Sequence, residues 1–227
     1  ITSSIPGEGK TTLAVNLAIS IANQGKKVIL IDCDMRNPSV AGVMNEQETH
    51  PGLGAVLKKE TALNDALIRV ETGKGSLEIL YGGNNDEKNT KMLGTKRMEA
   101  LIHTLKKQAD LIILDTAPSG ILADAAVLAR YVDAALYVIR YDHTKMQQIR
   151  EGIQSLVMSG IHLIGYTFNG DNQSRGRGYG YGYGYGYGYK RYSGYSRYGV
   201  KKESDSYRHY GNVQKGTQDQ YGRIIKE

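Results

Sequence analysis

"ITSSIPGEGKTTLAVNLAISIANQGKKVILIDCD" (Ile1–Asp34) holds a strand end, a glycine-rich turn, a helix and a second strand, in that order. "SIPGEGKTT" (Ser4–Thr12) is the turn. The residues after it carry apolar side chains at helical spacing as far as Gly25, where the pattern stops. "VILIDCD" (Val28–Asp34) is then an unbroken apolar run ending in acids, the composition of a parallel strand covered on both faces. The same grammar recurs in "SLEILY" (Ser76–Tyr81) before "KMLGTKRMEALIHTLKKQ", in "LIILDTAP" (Leu111–Pro118) before "ADAAVLARYV", and in "AALYVIR" (Ala134–Arg140) before "TKMQQIREGIQSLVMSG". "HLIGYTFN" (162–169) closes the series. Strands alternating with helices predict an α/β fold, a doubly wound, mostly parallel sheet.

The chemistry sits where strands end. Gly7 and Gly9 let successive backbone N–H groups around Glu8 turn toward an anion, and the helix behind them presents its positive end. Lys10 can reach β- and γ-phosphates, and Thr11 offers a hydroxyl to Mg2+. Ser4 stands where the usual first glycine of such a phosphate loop would be. A tight turn that binds nothing is the bland alternative, but the full GEGKTT string between strand and helix argues against it. Asp115 follows four apolar residues, at the carboxyl edge where ligands of open α/β sheets bind, in the position of a Walker B acid. Asp32 and Asp34 end another strand; alternation puts them on one face with Cys33 opposite, so that two carboxylates can converge on one metal and one proton. A turn cap before Pro38 is the alternative for Asp34, and a small buried residue is the preferred reading of Cys33.

Charge divides the chain in two. Residues 1–170 contain 18 Lys+Arg and 18 Asp+Glu, whereas residues 171–227 contain 11 and 5, so the net charge of +6 belongs entirely to the second part. The domain boundaries expected are therefore 1–170 for a phosphate-loop domain and 171–227 for a basic tail. That tail has four aliphatic residues against 12 Gly and 12 Tyr, too little apolar surface to offset the entropy of ordering, and disorder is expected. A single cysteine suits a reducing compartment. Only "ITSS" precedes the turn, which reads as a strand cut short and the chain as a fragment. "RGRGYGYGYGYGYGYKRYSGYSRYG" (Arg175–Gly199) has three readings: a stacking repeat, a nucleic-acid-binding tail, or hydroxyls to be modified. A neutral body offers no basic groove, so nucleic acid is not the expected partner.

In this order, "SIPGEGKTT", "ILIDCDMRNP" and "LIILDTAP" resemble the bacterial tyrosine kinases (BY-kinases) of capsule and exopolysaccharide synthesis. The resemblance covers about residues 1–170, includes "HPGLGAVL" (His50–Leu57), "KMLGTKRMEALI" (Lys91–Ile102) and "GYTFN" (Gly165–Asn169), and extends to the terminal tyrosine cluster. The ParA/MinD ATPases share the fold and the order of motifs, but their signature lysine falls where Ile5 stands here. Departures are the absence of proline from "YGGNNDEKNT" (Tyr81–Thr90) and of the Glu/Arg-rich upstream helix through which the family assembles into rings.

The resemblance implies a phosphate-loop NTPase fold of the ParA/MinD type. It implies Mg2+ organised around ATP by Thr11, Asp32 and Asp115, with Asp34 orienting or deprotonating the incoming phenol. Lys10 and the amides of Gly7, Glu8 and Gly9 would stabilise the transferring phosphate, Thr12 would touch the α-phosphate, and Asn169 would read the adenine edge. Arg36 is placed equally well on phosphate, on substrate or on the surface. Autophosphorylation, the tail's purpose on this resemblance, would fall on Tyr179, Tyr181, Tyr183, Tyr185, Tyr187, Tyr189, Tyr192, Tyr195 and Tyr198, in trans within a ring-like homo-oligomer. A membrane activator (polysaccharide co-polymerase), fused or separate, a cognate tyrosine phosphatase and a place at the cytoplasmic face of the membrane complete the expectation. The alternatives are a regulatory ATPase without tyrosine transfer and a nucleic-acid-binding module acting through the tail.

Overall fold

A computed structural model describes residues 1–47, 49–84 and 87–170; the tail and the tyrosines named above lie outside the described residues. Strand β1 (Thr2–Ser3) leads through the turn into helix α1 (Lys10–Asn23), which ends as Gly25 adopts φ +95°, a conformation that suits glycine. Strand β2 (Lys27–Asp32) follows, then three short helices, α2 (Val40–Met44), α3 (Leu53–Lys58) and α4 (Leu63–Ala66). Strand β3 (Leu67–Val70) runs directly out of α4 and pairs antiparallel with β4 (Ser76–Leu80). The remaining elements are helix α5 (Lys96–Leu105), strand β5 (Leu111–Asp115), helix α6 (Asp124–Leu128), strand β6 (Ala135–Arg140), helix α7 (Met146–Met158) and strand β7 (Leu163–Asn169).

Two ladders, β3-β4-β2-β5 and β1-β6-β7, are parallel throughout except for β3 against β4. They meet between β5 and β1, where the Thr116 N–H donates to the Ile1 carbonyl at 3.2 Å and the Ser119 N–H to the Ser3 carbonyl at 2.8 Å. β1 therefore has β5 on one side and β6 on the other, and the phosphate loop emerges at the point where the connections part. That is where doubly wound sheets open a crevice at their carboxyl edge.

Alternation along β2 divides the core. Ile29, Ile31 and Cys33 pack with Leu53, Leu57, Met98 and Leu105 on one face. Val28 and Leu30 pack with Ala14, Val15, Ala18 and Ala22 of α1 on the other. The covered faces explain why the strand is apolar from Val28 to Ile31. A third cluster joins Tyr137 and Ile139 of β6 to Ile149 and Leu156 of α7.

Two local differences from the sequence reading have physical causes. The stretch before Lys96 forms a 3-10 helix (Glu87–Gly94), and regular α-helix begins only at Lys96, because Gly94 and Thr95 interrupt it. Strand β3 has no glycine or proline between itself and α4, so no punctuation announces it. Among the described residues, no helix is long and apolar enough to cross a membrane.

Candidate active site at the carboxyl edge of the sheet

Gly7 and Gly9 take φ values of +84° and +92°, the left-handed backbone that the turn needs and that only glycine adopts without strain. A side chain at Gly9 would also run into the amide of Asn169. Lys10 opens α1 and is almost completely buried. Its ammonium lies 3.5 Å from Asp34 Oδ2, a carboxyl group with no exposed surface. Burial works to lower the Lys10 pKa, but Asp115, Asp34 and Asp32 together hold it above its ordinary value.

The three acids have different surroundings. Asp32 Oδ2 accepts from the Ser39 N–H (2.9 Å) and the Val40 N–H (3.1 Å), and Oδ1 accepts from the Asp34 N–H (3.1 Å). It anchors the turn that leads into α2. Asp34 Oδ1 accepts from the Asn37 N–H at 3.1 Å, so its carboxylate caps a turn and also faces Lys10. Cys33 points the other way, into the core. Asp115 is the exception: both of its oxygens are buried and neither accepts a well-formed hydrogen bond, the Thr11 hydroxyl offering only a weak one. Thr11, whose hydroxyl lies 3.2 Å from Ser39 Oγ, is close enough to oppose the rise that burial imposes on the Asp115 carboxyl.

A buried acid with two unused oxygens is costly unless something positive meets it. No group of three or more His, Cys, Asp or Glu among the described residues could hold a metal by itself. Magnesium does not require such a group, because it keeps waters and shares its shell between one or two carboxylates and substrate phosphates. Asp115, Thr11 and Asp32 fit that kind of site.

Burial, and next the charge of Asp115, push the Asp32 carboxyl up to about 8. An unfolded aspartate titrates near 3.9. The folded domain thus holds a proton on the Asp32–Asp115 pair that the unfolded chain has released, and this contribution to stability is lost as pH rises from about 4 to about 8. Thermal melts in chelator should show a falling midpoint from pH 5.5 to 8.5. Mg2+ with a nucleotide should flatten that slope by favouring the ionised form. A midpoint that rises with pH in chelator would contradict the assignment.

Several contributors carried no clear sequence signal. Glu8 has no exposed surface; Oε2 accepts from the Ile5 N–H (2.9 Å), and Oε1 accepts from the Thr144 hydroxyl (2.6 Å) and the Arg140 N–H (3.3 Å). Its side chain therefore braces the loop, and only its backbone is left to serve a ligand. Arg140 Nη1 donates to the Gly7 carbonyl at 2.8 Å, and His143 Nε2 lies 3.1 Å from the Pro6 carbonyl. Asn169, at the end of β7, donates from Nδ2 to the Glu8 carbonyl at 3.0 Å. The segment after β6 and the end of β7 thus clamp the phosphate loop from outside. Arg140 ends an apolar strand as Asp32 and Asp115 do, so the same rule would have found it; Thr144 and His143 had no such marker. Thr12 is partly exposed in the first turn of α1. Glu8→Ala leaves three donors without their acceptor and should cost about 2–4 kcal/mol, as read by urea unfolding. A loss below 0.5 kcal/mol would show that the clamp does not depend on this carboxylate.

Residues 3–169 match the AAA domain family. Tyrosine-protein kinase CpsD of Streptococcus pneumoniae is 36% identical over 169 residues, 74% of each chain. Tyrosine-protein kinase YwqD of Bacillus subtilis strain 168 is 35% identical over 175 residues, 77% of this chain and 73% of the relative. Among solved structures, the VpsO kinase domain superimposes with a TM-score of 0.69 at 33% identity, over 74% of this chain and 81% of its own. With a phosphate loop at the switch point of the sheet and these relatives across the whole described domain, the chain belongs to the bacterial tyrosine-protein kinase family, on an AAA-type phosphate-loop fold.

Proposed function

We propose that this chain is an ATP-dependent autokinase that moves the γ-phosphoryl group of ATP to tyrosines of its own C-terminal cluster, Tyr179–Tyr198, in trans. The observation that carries the reading is the pair of unsatisfied oxygens on buried Asp115 beside Thr11, within the field of Lys10. A phosphate loop needs a cation at that place, and a carboxylate kept unpaired there is suited to receive it. Thr11 and Asp115 would hold Mg2+, with Asp32 as the supporting carboxylate, and the ion would neutralise phosphate charge when bound. The amides of Gly7, Glu8 and Gly9 and the Lys10 ammonium would stabilise charge on the transferring group. Thr12 would meet the α-phosphate.

Asn169 is proposed on the adenine side, where its carbonyl oxygen remains available after Nδ2 has donated to Glu8. Its Oδ1 accepts from the Gly170 N–H at 2.8 Å, so a second acceptor lone pair would serve the base. Asp34 is the group proposed to orient and deprotonate the acceptor phenol, whose ordinary pKa near 10 makes it a weak nucleophile.

Glycine-spaced tyrosines suit such a substrate because each can enter a site without unfolding the domain. Each phosphate adds about −1.5 to −2 charges near neutral pH. Extensive labelling would thus reverse the tail's charge of +6 and make gathered tails repel one another. Control of capsule or exopolysaccharide synthesis, assembly with further copies, a membrane activator and a tyrosine phosphatase as partners, and a position at the inner membrane face belong to the same proposal. The full chain incubated with Mg-ATP should yield phosphotyrosine peptides from the 179–198 region by mass spectrometry. ATP hydrolysis without phosphotyrosine would contradict it.

A further inference from the structure

Lys10, Asp34, Asp124 and Arg36 lie in succession along one wall of the site. Lys10 meets Asp34 at 3.5 Å, and the charge of Asp34 is felt at Asp124. Arg36 Nε in turn reaches Asp124 Oδ2 at 3.3 Å, and Arg36 Nη2 reaches the Thr90 hydroxyl at 3.3 Å. The wall opens outward along this path: the Asp34 side chain has no exposure, Asp124 13% and Arg36 23%. Arg36 is two residues beyond Asp34, and it ties the turn after β2 to the 3-10 helix before α5 and to the first turn of α6.

These two contacts are long for a guanidinium, whose strong charge-assisted bonds run at about 2.7–2.9 Å. Asp124 is a strained partner: burial raises its carboxyl pKa, with Arg36 opposing that rise. A phosphoryl group offers a guanidinium more oxygens and more charge than this one carboxylate, and planar fork geometry favours it.

We propose that Arg36 is the acceptor-side phosphate ligand of the reaction, leaving Asp124 for the phosphoryl group as it passes to the tyrosine. The inference rests on the kinase reading above and adds a residue and a direction of approach to it. In the step served, the bond from the γ-phosphorus to its bridging oxygen breaks and the electron pair leaves with ADP. A new bond forms from the phenol oxygen to phosphorus, and the phenol proton goes to Asp34. Arg36 would then touch the phosphorylated product at the rim, while Lys10 stays with the nucleotide at the floor. Asp124 is a resting partner that competes with the phosphoryl group for the guanidinium, while the Thr90 hydroxyl meets its other edge.

The test uses the full chain, with the single-turnover rate of tyrosine labelling at saturating Mg-ATP and the Kd for Mg-ADP measured in parallel. Arg36→Ala should lose about 10²-fold in labelling rate, with Kd for Mg-ADP changed less than about threefold. Arg36→Lys should recover part of the rate, because the charge remains and the fork does not. Asp124→Asn weakens one resting contact of the guanidinium and should label at least as fast as wild type. Equal labelling by Arg36→Ala and wild type would overturn the inference. So would a Mg-ADP affinity that falls in step with the rate, which would make Arg36 a nucleotide or structural residue. If Arg36→Ala does not fold, slower labelling by folded Asp124→Asn overturns the proposal, and labelling at or above the wild-type rate supports it. Absence of labelling by wild type would overturn the kinase reading itself, and with it this one.

Discussion

Lys10→Met should reduce tyrosine labelling by about 10³-fold, the scale on which loss of a single preorganised charge-stabilising donor acts. The lysine is buried among three carboxylates, each of which contributes to holding its proton. Its removal therefore has a second consequence. Asp34 loses the cation 3.5 Å away, and an uncompensated buried charge costs on the order of 3 kcal/mol. Asp32, whose carboxyl is already pushed up to about 8, can relieve the excess charge by keeping its proton. The stability deficit of Lys10→Met should accordingly be largest at pH 8 and shrink toward pH 6. Urea unfolding at the two pH values checks this, alongside labelling by the folded variant. Undiminished labelling would remove Lys10 from the chemistry, and a deficit that grows toward pH 6 would remove it from the charge cluster.

Asp115→Asn should separate stability from activity. The substitution removes a buried charge that accepts no well-formed hydrogen bond, and it lightens the load on Asp32, for which Asp115 is the main charged neighbour. In chelator the variant should melt no lower than the parent, and its pH dependence between 5.5 and 8.5 should be shallower. In Mg-ATP it should lose about 10²-fold or more in labelling, because the unpaired carboxylate that receives the cation is gone. Sites that bind or react are commonly kept at the expense of stability. Asp115→Asn melting far below the parent, or retaining Mg2+-dependent labelling, would contradict this reading.

How far the sequence carried the reading depended on how local each signal was. Strands β2 and β5 were legible because a strand covered on both faces must be apolar along its length, as in Val28–Ile31 and Leu111–Leu114. Acids at the ends of such runs marked Asp32, Asp34 and Asp115 as neighbours, and the structure brings them to one edge around Lys10. Strand β3 escaped because its antiparallel pairing with β4 is set by tertiary contact and not by punctuation. The division of labour among the acids was not legible either. Alternation puts Asp32 and Asp34 on one face, but only folding shows that the amides of Ser39 and Val40 engage Asp32 while Asp115 is left without a well-formed hydrogen bond. Glu8 shows the same limit. In sequence it is one residue of a phosphate loop; its role as a brace depends on Thr144 and Arg140, more than 130 positions away.

On the proposed reading, the edge built around Lys10 and Asp115 phosphorylates tyrosines of the tail, and the tail can belong to another copy. Mixing two proteins tests it most directly: a Lys10→Met chain with its tail intact, isotopically labelled, and an active chain truncated after Asn169. A Gly-rich coil of about 30 residues spans roughly 30 Å, enough to reach a neighbouring site. After incubation with Mg-ATP, phosphotyrosine is read by mass spectrometry on the isotopically labelled chain alone. The account predicts phosphate on Tyr179–Tyr198 of that chain, dependent on Mg2+ and absent when the truncated partner carries Lys10→Met. No phosphotyrosine on the labelled tail at high concentrations of both proteins, under conditions where the full-length chain labels itself, would contradict transfer in trans; none in either arrangement would contradict the kinase.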